Sequence, residues 1–315
     1  MLGSEEKRQL VRIANLYYIE GWTQGKIAKK FGVSRPFICR LLQKAKDSGI
    51  VEVYIKDESI HTVELEQQLK DKYKLQDAVV VSTEGIAPET VRRAVGQAGA
   101  YYLSKNLENT KQIGISWGET LSAFVKEYPF EEREEINVVP LVGGIGTKHI
   151  EIHANQLAYE LAKKLHGTSS YLYAPAIVET AELKEYLLEI PDIKMVLEKG
   201  HNVDIALISV GNPYKDSTMR NLGYLQDEDL QQFRKIGIAG DIASRFFDAS
   251  GNAVDHPLNH RTIGLPLEQL RQIKKVVGIV EGVHKSESIS AALKGSYIDV
   301  LIIDEHAASA LIREQ

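Results

Sequence analysis

Between residues 78 and 315 the chain repeats one pattern: a short, uniformly apolar run, then a longer stretch with helical spacing. The runs are AVVVS (78–82), IGIS (113–116), INVVPLV (136–142), SYLYAP (170–175), DIALISVG (204–211), VVGIVEG (276–282) and IDVLIID (298–304). A strand with one wet face alternates apolar and polar residues. A strand that is apolar throughout needs cover on both faces, which helices between strands provide. The pattern therefore predicts an α/β fold with a large, mostly parallel sheet. Ligands of such sheets bind where the strands end at their carboxyl side. No apolar run approaches the roughly 18–20 residues that span a bilayer, and MLGSEEKRQL lacks the apolar core of a secretory signal. The single cysteine, Cys39, excludes an internal disulfide and a cysteine-rich zinc site. The expected setting is cytoplasmic, with no membrane partner.

Residues 1–57 differ from this body. They hold eleven Lys/Arg against six Asp/Glu, a net +5, whereas the rest hold 27 against 37, a net −10. A basic head on an acidic body points to a polyanion for the head alone. Three helical patterns fit there. KRQLVRIANLYYIEG puts Leu10, Ile13, Ala14, Tyr17 and Tyr18 on one face and ends at Gly21. The second, TQGKIAKKFGV, has Thr23 as N-cap and closes at Gly32. The third, SRPFICRLLQKAKDSG, opens on Ser34 with Pro36 in its first turn, turns Ile38, Leu41, Leu42 and Ala45 inward, and stops at Gly49. IVEVYIKD then alternates like a short half-buried strand. Helix, glycine turn, helix and strand is the order of a winged helix-turn-helix. The expected DNA contacts are Thr23, Lys26, Ser34, Arg35, Pro36, Cys39, Arg40 and Lys44, with Lys29 and Lys30 on the helix that crosses the backbone. A three-helix packing unit with a solvated basic face is the alternative. The domain boundary falls near 58, and HTVELEQQLKDKYKL, within 58–77, reads as an amphipathic linking helix with Val63, Leu65, Leu69, Tyr73 and Leu75 apolar.

Several strand ends in the body carry residues suited to a small anion. GISWGET (114–120) sets Gly, Ser and Thr between a strand and a helix, where backbone N–H groups attract phosphate. Gly143, Gly144 and Thr147, Gly211, and Gly282 to Lys285 follow other runs. In GIAGDIASRFFDASGN, Asp241 follows a glycine turn and Arg245 is placed one helical turn on, so that Asp241 either binds sugar hydroxyls or caps a helix. HIEIH spaces His149 and His153 at i, i+4, but no third metal ligand accompanies them.

These blocks together resemble the SorC family of transcription regulators over nearly the whole chain. The resemblance rests on LYY and SRPFICRLLQKAKDSGIV in the head. In the body it rests on GISWGET, VVPLVGGIG, HANQLA, GDIASRFFDASG, HRTIGL, EGVHKSESISAAL and VLIIDEHAA. It implies a body resembling sugar-phosphate isomerases and deaminases, a phosphorylated sugar effector, and a homodimer or homotetramer on operator DNA. Carried over by position, effector contacts fall on Ser116, Trp117, Gly118, Glu119, Thr120, Val142, Gly143, His153, Asp241 and Lys285. Some relatives have at position 142 a lysine able to form a Schiff base, or an arginine able to pair with phosphate. Val142 can do neither. The expected role is a repressor released by its sugar phosphate, with no catalytic residue, metal or cofactor; an activator, or a repressor that uses the sugar as corepressor, fits the same sequence. The alternative is an isomerase- or deaminase-like enzyme with an accessory DNA-binding head, for which Glu119 and Asp241 are the carboxylates available as general base.

Overall fold

The protein is described here from a computed structural model covering residues 4–51, 60–144 and 149–314. It divides into two compact units, 1–60 and 61–315. Among the described residues no helix is long and apolar enough to cross a membrane.

In the first unit α1 (Ser4–Ala14) runs on into a π-helical turn, Asn15–Ile19, before α2 (Gln24–Phe31) and α3 (Arg35–Asp47). The expected caps are present. Thr23 Oγ1 accepts the Lys26 N–H at 3.2 Å, and Ser34 Oγ accepts the Phe37 N–H at 3.3 Å. Gly32, at φ +67°, takes the left-handed conformation that turns the chain between α2 and α3. Ile13, Leu16, Ile27, Ala28, Ile38 and Leu42 form the core. One expected contact fails: Tyr18 is exposed and Leu16 is buried instead. The π turn, closed by Glu20 N–H to Asn15 O at 3.0 Å, adds a residue to the turn and rotates the apolar stripe. The expected strand at 50–57 lies almost wholly outside the described residues.

The second unit begins with α4 (Ile60–Tyr73), which buries Leu65 and Leu69 but leaves Val63 exposed. Among the described residues ten strands follow: β1 (Asp77–Val81), β2 (Gln112–Ile115), β3 (Asn137–Pro140), β4 (Thr168–Ser169), β5 (Ile205–Ile208), β6 (Val210–Gly211), β7 (Ile238–Ile242), β8 (Arg245–Asp248), β9 (Val276–Val280) and β10 (Val300–Asp304). Seven form one parallel sheet in the order β1-β10-β9-β5-β2-β3-β4. Its strands bury alternate residues in two different cores. Ile113, Ile115, Leu207, Val277, Ile279 and Ile302 face α5 (Pro88–Lys105), α6 (Glu119–Glu127) and α7 (Ala154–Lys164). Ala206, Ile208, Val280, Leu301 and Ile303 face α4 and the helices 191–201, 286–294 and 305–313. This double burial is why the strands carry no polar alternation.

The run SYLYAP is not a strand. The paired residues end at Ser169, with the Ser170 N–H still on Val138 O at 2.9 Å; beyond it Asn155 on α7 takes both backbone groups of Leu172, at 2.8 and 3.0 Å, so Leu172 is satisfied without a neighbour strand. DIALISVG breaks at Ser209. β5 stays in the parallel sheet, while β6 opens a second, antiparallel sheet β6-β7-β8. The helical reading of GDIASRFF is also corrected. Asp241 lies on β7 and Arg245 on β8, joined by a hairpin turn in which Ala243 and Ser244 both have positive φ. Asp241 caps no helix. The Arg245 guanidinium is buried and donates to the carbonyls of Asn259, Thr262 and Gly264.

Candidate functional site

β2 and β5 are neighbours at the point where the chain reverses its direction across the sheet: β3 and β4 continue to one side, β9 and β10 to the other. A crevice opens at the carboxyl ends of strands at such a point. Here it is a cavity of about 130 Å³, against the roughly 10–15 Å³ that one water needs. The β2 loop contributes Trp117, Gly118, Glu119 and Thr120, and the β9 loop contributes Glu281, His284 and Lys285. The small sheet closes the far side with Gly211 and Asp241.

The β2 loop offers fewer donors than its sequence implied. The Ser116 N–H continues the sheet ladder to Leu207 O at 2.9 Å, and the Gly118 N–H donates to Ile152 O at 3.0 Å. Ser116 itself is buried behind the wall. What remains for an anion is the start of α6, at Glu119 and Thr120, whose N–H groups have no acceptor within the helix.

Charge is concentrated here. Asp241 is buried against Gly211, where a Cβ would run into its carboxylate. Burial pushes its pKa up to about 6, opposed by the Ser244 N–H and by Lys285. Lys285 ends a single 3-10 turn, Val283–Lys285, that follows Gly282. Burial pushes its pKa down, opposed chiefly by Glu281. Among the described residues it forms no ion pair within 4.0 Å. Arg92 on α5 reaches the same wall and bridges Glu281, at 2.8 Å, and Glu119. Burial works against its charge, but Glu281 and Glu119 hold its pKa above the ordinary value. His284 is shifted the other way, downward, by burial and then by Lys285.

Six of the ten expected effector residues, Trp117, Gly118, Glu119, Thr120, Asp241 and Lys285, thus line one cavity. Gly143 and His153 line a smaller neighbouring one, sharing Trp117 as a wall. Val142 is fully buried, bridged to Gly264, and lines neither. Thr147 lies outside the described residues. His149 is exposed beside Glu151, while His153 is buried at the start of α7, so the two histidines do not share a helical face. Among the described residues no group of three or more His, Cys, Asp or Glu could hold a metal. Arg92 and Asn212 were missed from the sequence. Arg92 lies in the second turn of α5 with no local signal, and Asn212 reaches the wall only because β6 leaves the main sheet.

In the first unit Thr23, Lys26, Ser34, Arg35, Pro36, Cys39, Arg40 and Lys44 are all exposed on α2, α3 and their caps. Lys26 and Lys30 lie over the Trp22 ring, at 4.0 and 4.5 Å, and the Arg40 guanidinium lies 5.7 Å from the Phe37 ring. Lys44 is paired with Glu6, which reduces the charge it presents.

The family described as "Putative sugar-binding domain" matches residues 57–313. The chain is 32% identical to the sorbitol operon regulator of Klebsiella pneumoniae over 99% of its own length and all of that protein. The full-length crystal structure of that regulator covers 98% of the chain with a TM-score of 0.78. The deoxyribonucleoside regulator of Bacillus subtilis is 32% identical over 98% of this chain and 99% of its own. A DeoR family transcriptional regulator from Listeria monocytogenes is 40% identical, with a TM-score of 0.76, over 79% of this chain and 99% of that one. These relatives are named as regulators, not as enzymes. With matches that run the length of both partners, the chain belongs to the SorC family of transcriptional regulators.

Proposed function

We propose that residues 1–57 form a winged helix-turn-helix that binds operator DNA. Residues 58–315 bind a phosphorylated sugar and assemble the chain as a homodimer or homotetramer. The protein acts in the cytoplasm as a repressor of a carbohydrate operon, released by its effector. The observation that carries the effector reading is Lys285: a partly buried ammonium without an ion-pair partner among the described residues, on the same cavity wall as the open start of α6. An unpaired cation and free N–H groups around one void favour a phosphate. Asp241 and Glu281 supply acceptors for sugar hydroxyls on the same walls. The DNA reading is supported by the exposed Arg35 and Arg40 near the start of α3, held by a capped turn. Regulation then follows from linkage: a sugar that favours one conformation shifts the population, and DNA affinity follows.

Fluorescence anisotropy of the full chain on its own promoter DNA, with a panel of sugar phosphates and the matching free sugars, tests this. One phosphorylated sugar should weaken DNA binding where its free form does not. Tighter DNA binding with that sugar would make it a corepressor, and an equal response to the free sugar would remove the phosphate from the reading.

A further inference from the structure

Arg92 ties the two phosphate-side loops together. Its Nε donates to Glu281 Oε1 at 2.8 Å, on the β9 loop, and its Nη1 donates to Glu119 Oε2, on the β2 loop. The two partners are held differently. The Glu281 side chain is 12% exposed, whereas those of Glu119 and Arg92 are 42% and 46% exposed. Glu281 is therefore a fixed anchor, and Glu119 stands at the mouth, where moving into water costs little desolvation.

Glu119 is also the first residue of α6. A carboxylate there is stabilised by the same helix end that would attract a bound phosphate. It holds the same guanidinium that a phosphate would seek. The charge count sharpens the conflict. With all carboxylates, Arg92 and Lys285 ionised, the wall carries two cations against Glu119, Asp216, Glu281 and Asp241, a net −2. A dianion added to that arrangement meets net repulsion. With Glu119 turned out to water, two cations face three carboxylates, so the repulsion is reduced to a net −1, and the Arg92 Nη groups are open.

We propose that Glu119 is an internal counter-anion, and that a phosphomonoester binds by taking its place on Arg92. This rests on the reading of the cavity as a phosphate site. Arg92 then becomes a specificity-determining residue that sequence reasoning did not find, and Glu119 an autoinhibitory group in place of a sugar contact. A sugar without phosphate has nothing to exchange for the carboxylate and leaves the Arg92–Glu119 pair closed.

Calorimetry on the full chain at constant ionic strength, with inorganic phosphate as the probe, separates the possibilities. Glu119→Gln should tighten phosphate binding about two- to fivefold, the scale of a half-exposed ion pair. Arg92→Gln should weaken it by at least as much. Adding Glu119→Gln to Arg92→Gln should then give no further tightening, because the gain acts through the freed guanidinium. Glu119→Asp, which keeps the charge but draws it back from Arg92 by one methylene, should tighten less than Glu119→Gln, and it serves if the other variants fold poorly. If Glu119→Gln tightens binding equally with and without Arg92, simple repulsion explains it and the exchange is wrong. If Glu119→Gln leaves affinity unchanged or lowers it while Lys285→Ala weakens phosphate, the phosphate seat stands and the exchange falls. If Lys285→Ala has no effect, or no form binds phosphate, the seat itself is misplaced and the exchange falls with it.

Discussion

In the first unit the cations stand in water. Lys26, Arg35 and Arg40 are exposed around a core that buries Ile13, Ile27, Ile38 and Leu42, and capped turns fix where they point. In the second unit Arg92 and Lys285 stand in a cavity with four carboxylates for company, one of them buried. The first arrangement acts at a distance, is screened by salt, and suits a long polyanion whose position matters more than its shape. The second acts at contact, pays for desolvation, and suits one small ligand whose every group is matched.

The largest difference should appear with salt. Raising salt from 50 to 200 mM should lower operator affinity about 10³-fold or more if six or more phosphates are contacted, while sugar-phosphate affinity falls by less than about tenfold. Parallel anisotropy and calorimetry series measure both, and similar slopes for the two ligands would erase the distinction.

Next in size is the desolvation of Asp241. Its folded pKa of about 6 lies above the ordinary carboxylate value, so the folded state binds more protons between pH 4 and 6. Stability from this group is present below pH 4 and is lost as pH rises through 6. Asp241→Asn should therefore raise stability at pH 7 by up to about 3 kcal/mol and flatten its pH dependence between 4 and 6. Urea melts at pH 4, 5, 6 and 7 read this directly. A variant no more stable than the parent at pH 7 would mean that the cavity stabilises the carboxylate after all. A gain in stability with a loss of sugar response would mark Asp241 as kept for binding.

Lys285→Ala should weaken the phosphorylated effector by about 2 kcal/mol and the free sugar hardly at all, since a charge-assisted bond is removed. Equal losses for both ligands would move Lys285 from phosphate binding to general support of the wall. The smallest effect concerns the head. Ser34→Ala removes the N-cap of α3 and should cost about 1 kcal/mol, seen as roughly fivefold faster amide exchange in α3 of the full chain. Unchanged exchange there would show that α3 is held by its buried face alone.

The sequence by itself determined whatever depends on local pattern. Uniformly apolar runs demanded a sheet covered on both faces, and the strands split their residues between two cores as that demand requires. Thr23, Ser34 and Gly32 fixed the ends of two helices, because a cap hydrogen bond or a positive φ needs only near neighbours. GISWGET was legible as a strand-to-helix turn for the same reason, although two of its N–H groups proved to be used by Leu207 and Ile152. What only the tertiary structure decided was everything set by distant partners. The hairpin at Ala243–Ser244 carries no glycine to announce it, and its pairing with β6 turned Asp241 from a supposed helix cap into a cavity wall. SYLYAP had the composition of a strand, but Asn155 took the backbone bonds that a strand would have needed. Arg92 joined the cavity because α5 packs on α6 and β9, about 30 residues from one partner and nearly 190 from the other. Local pattern cannot encode such pairs, since each half looks like an ordinary surface residue until the fold brings the other to it.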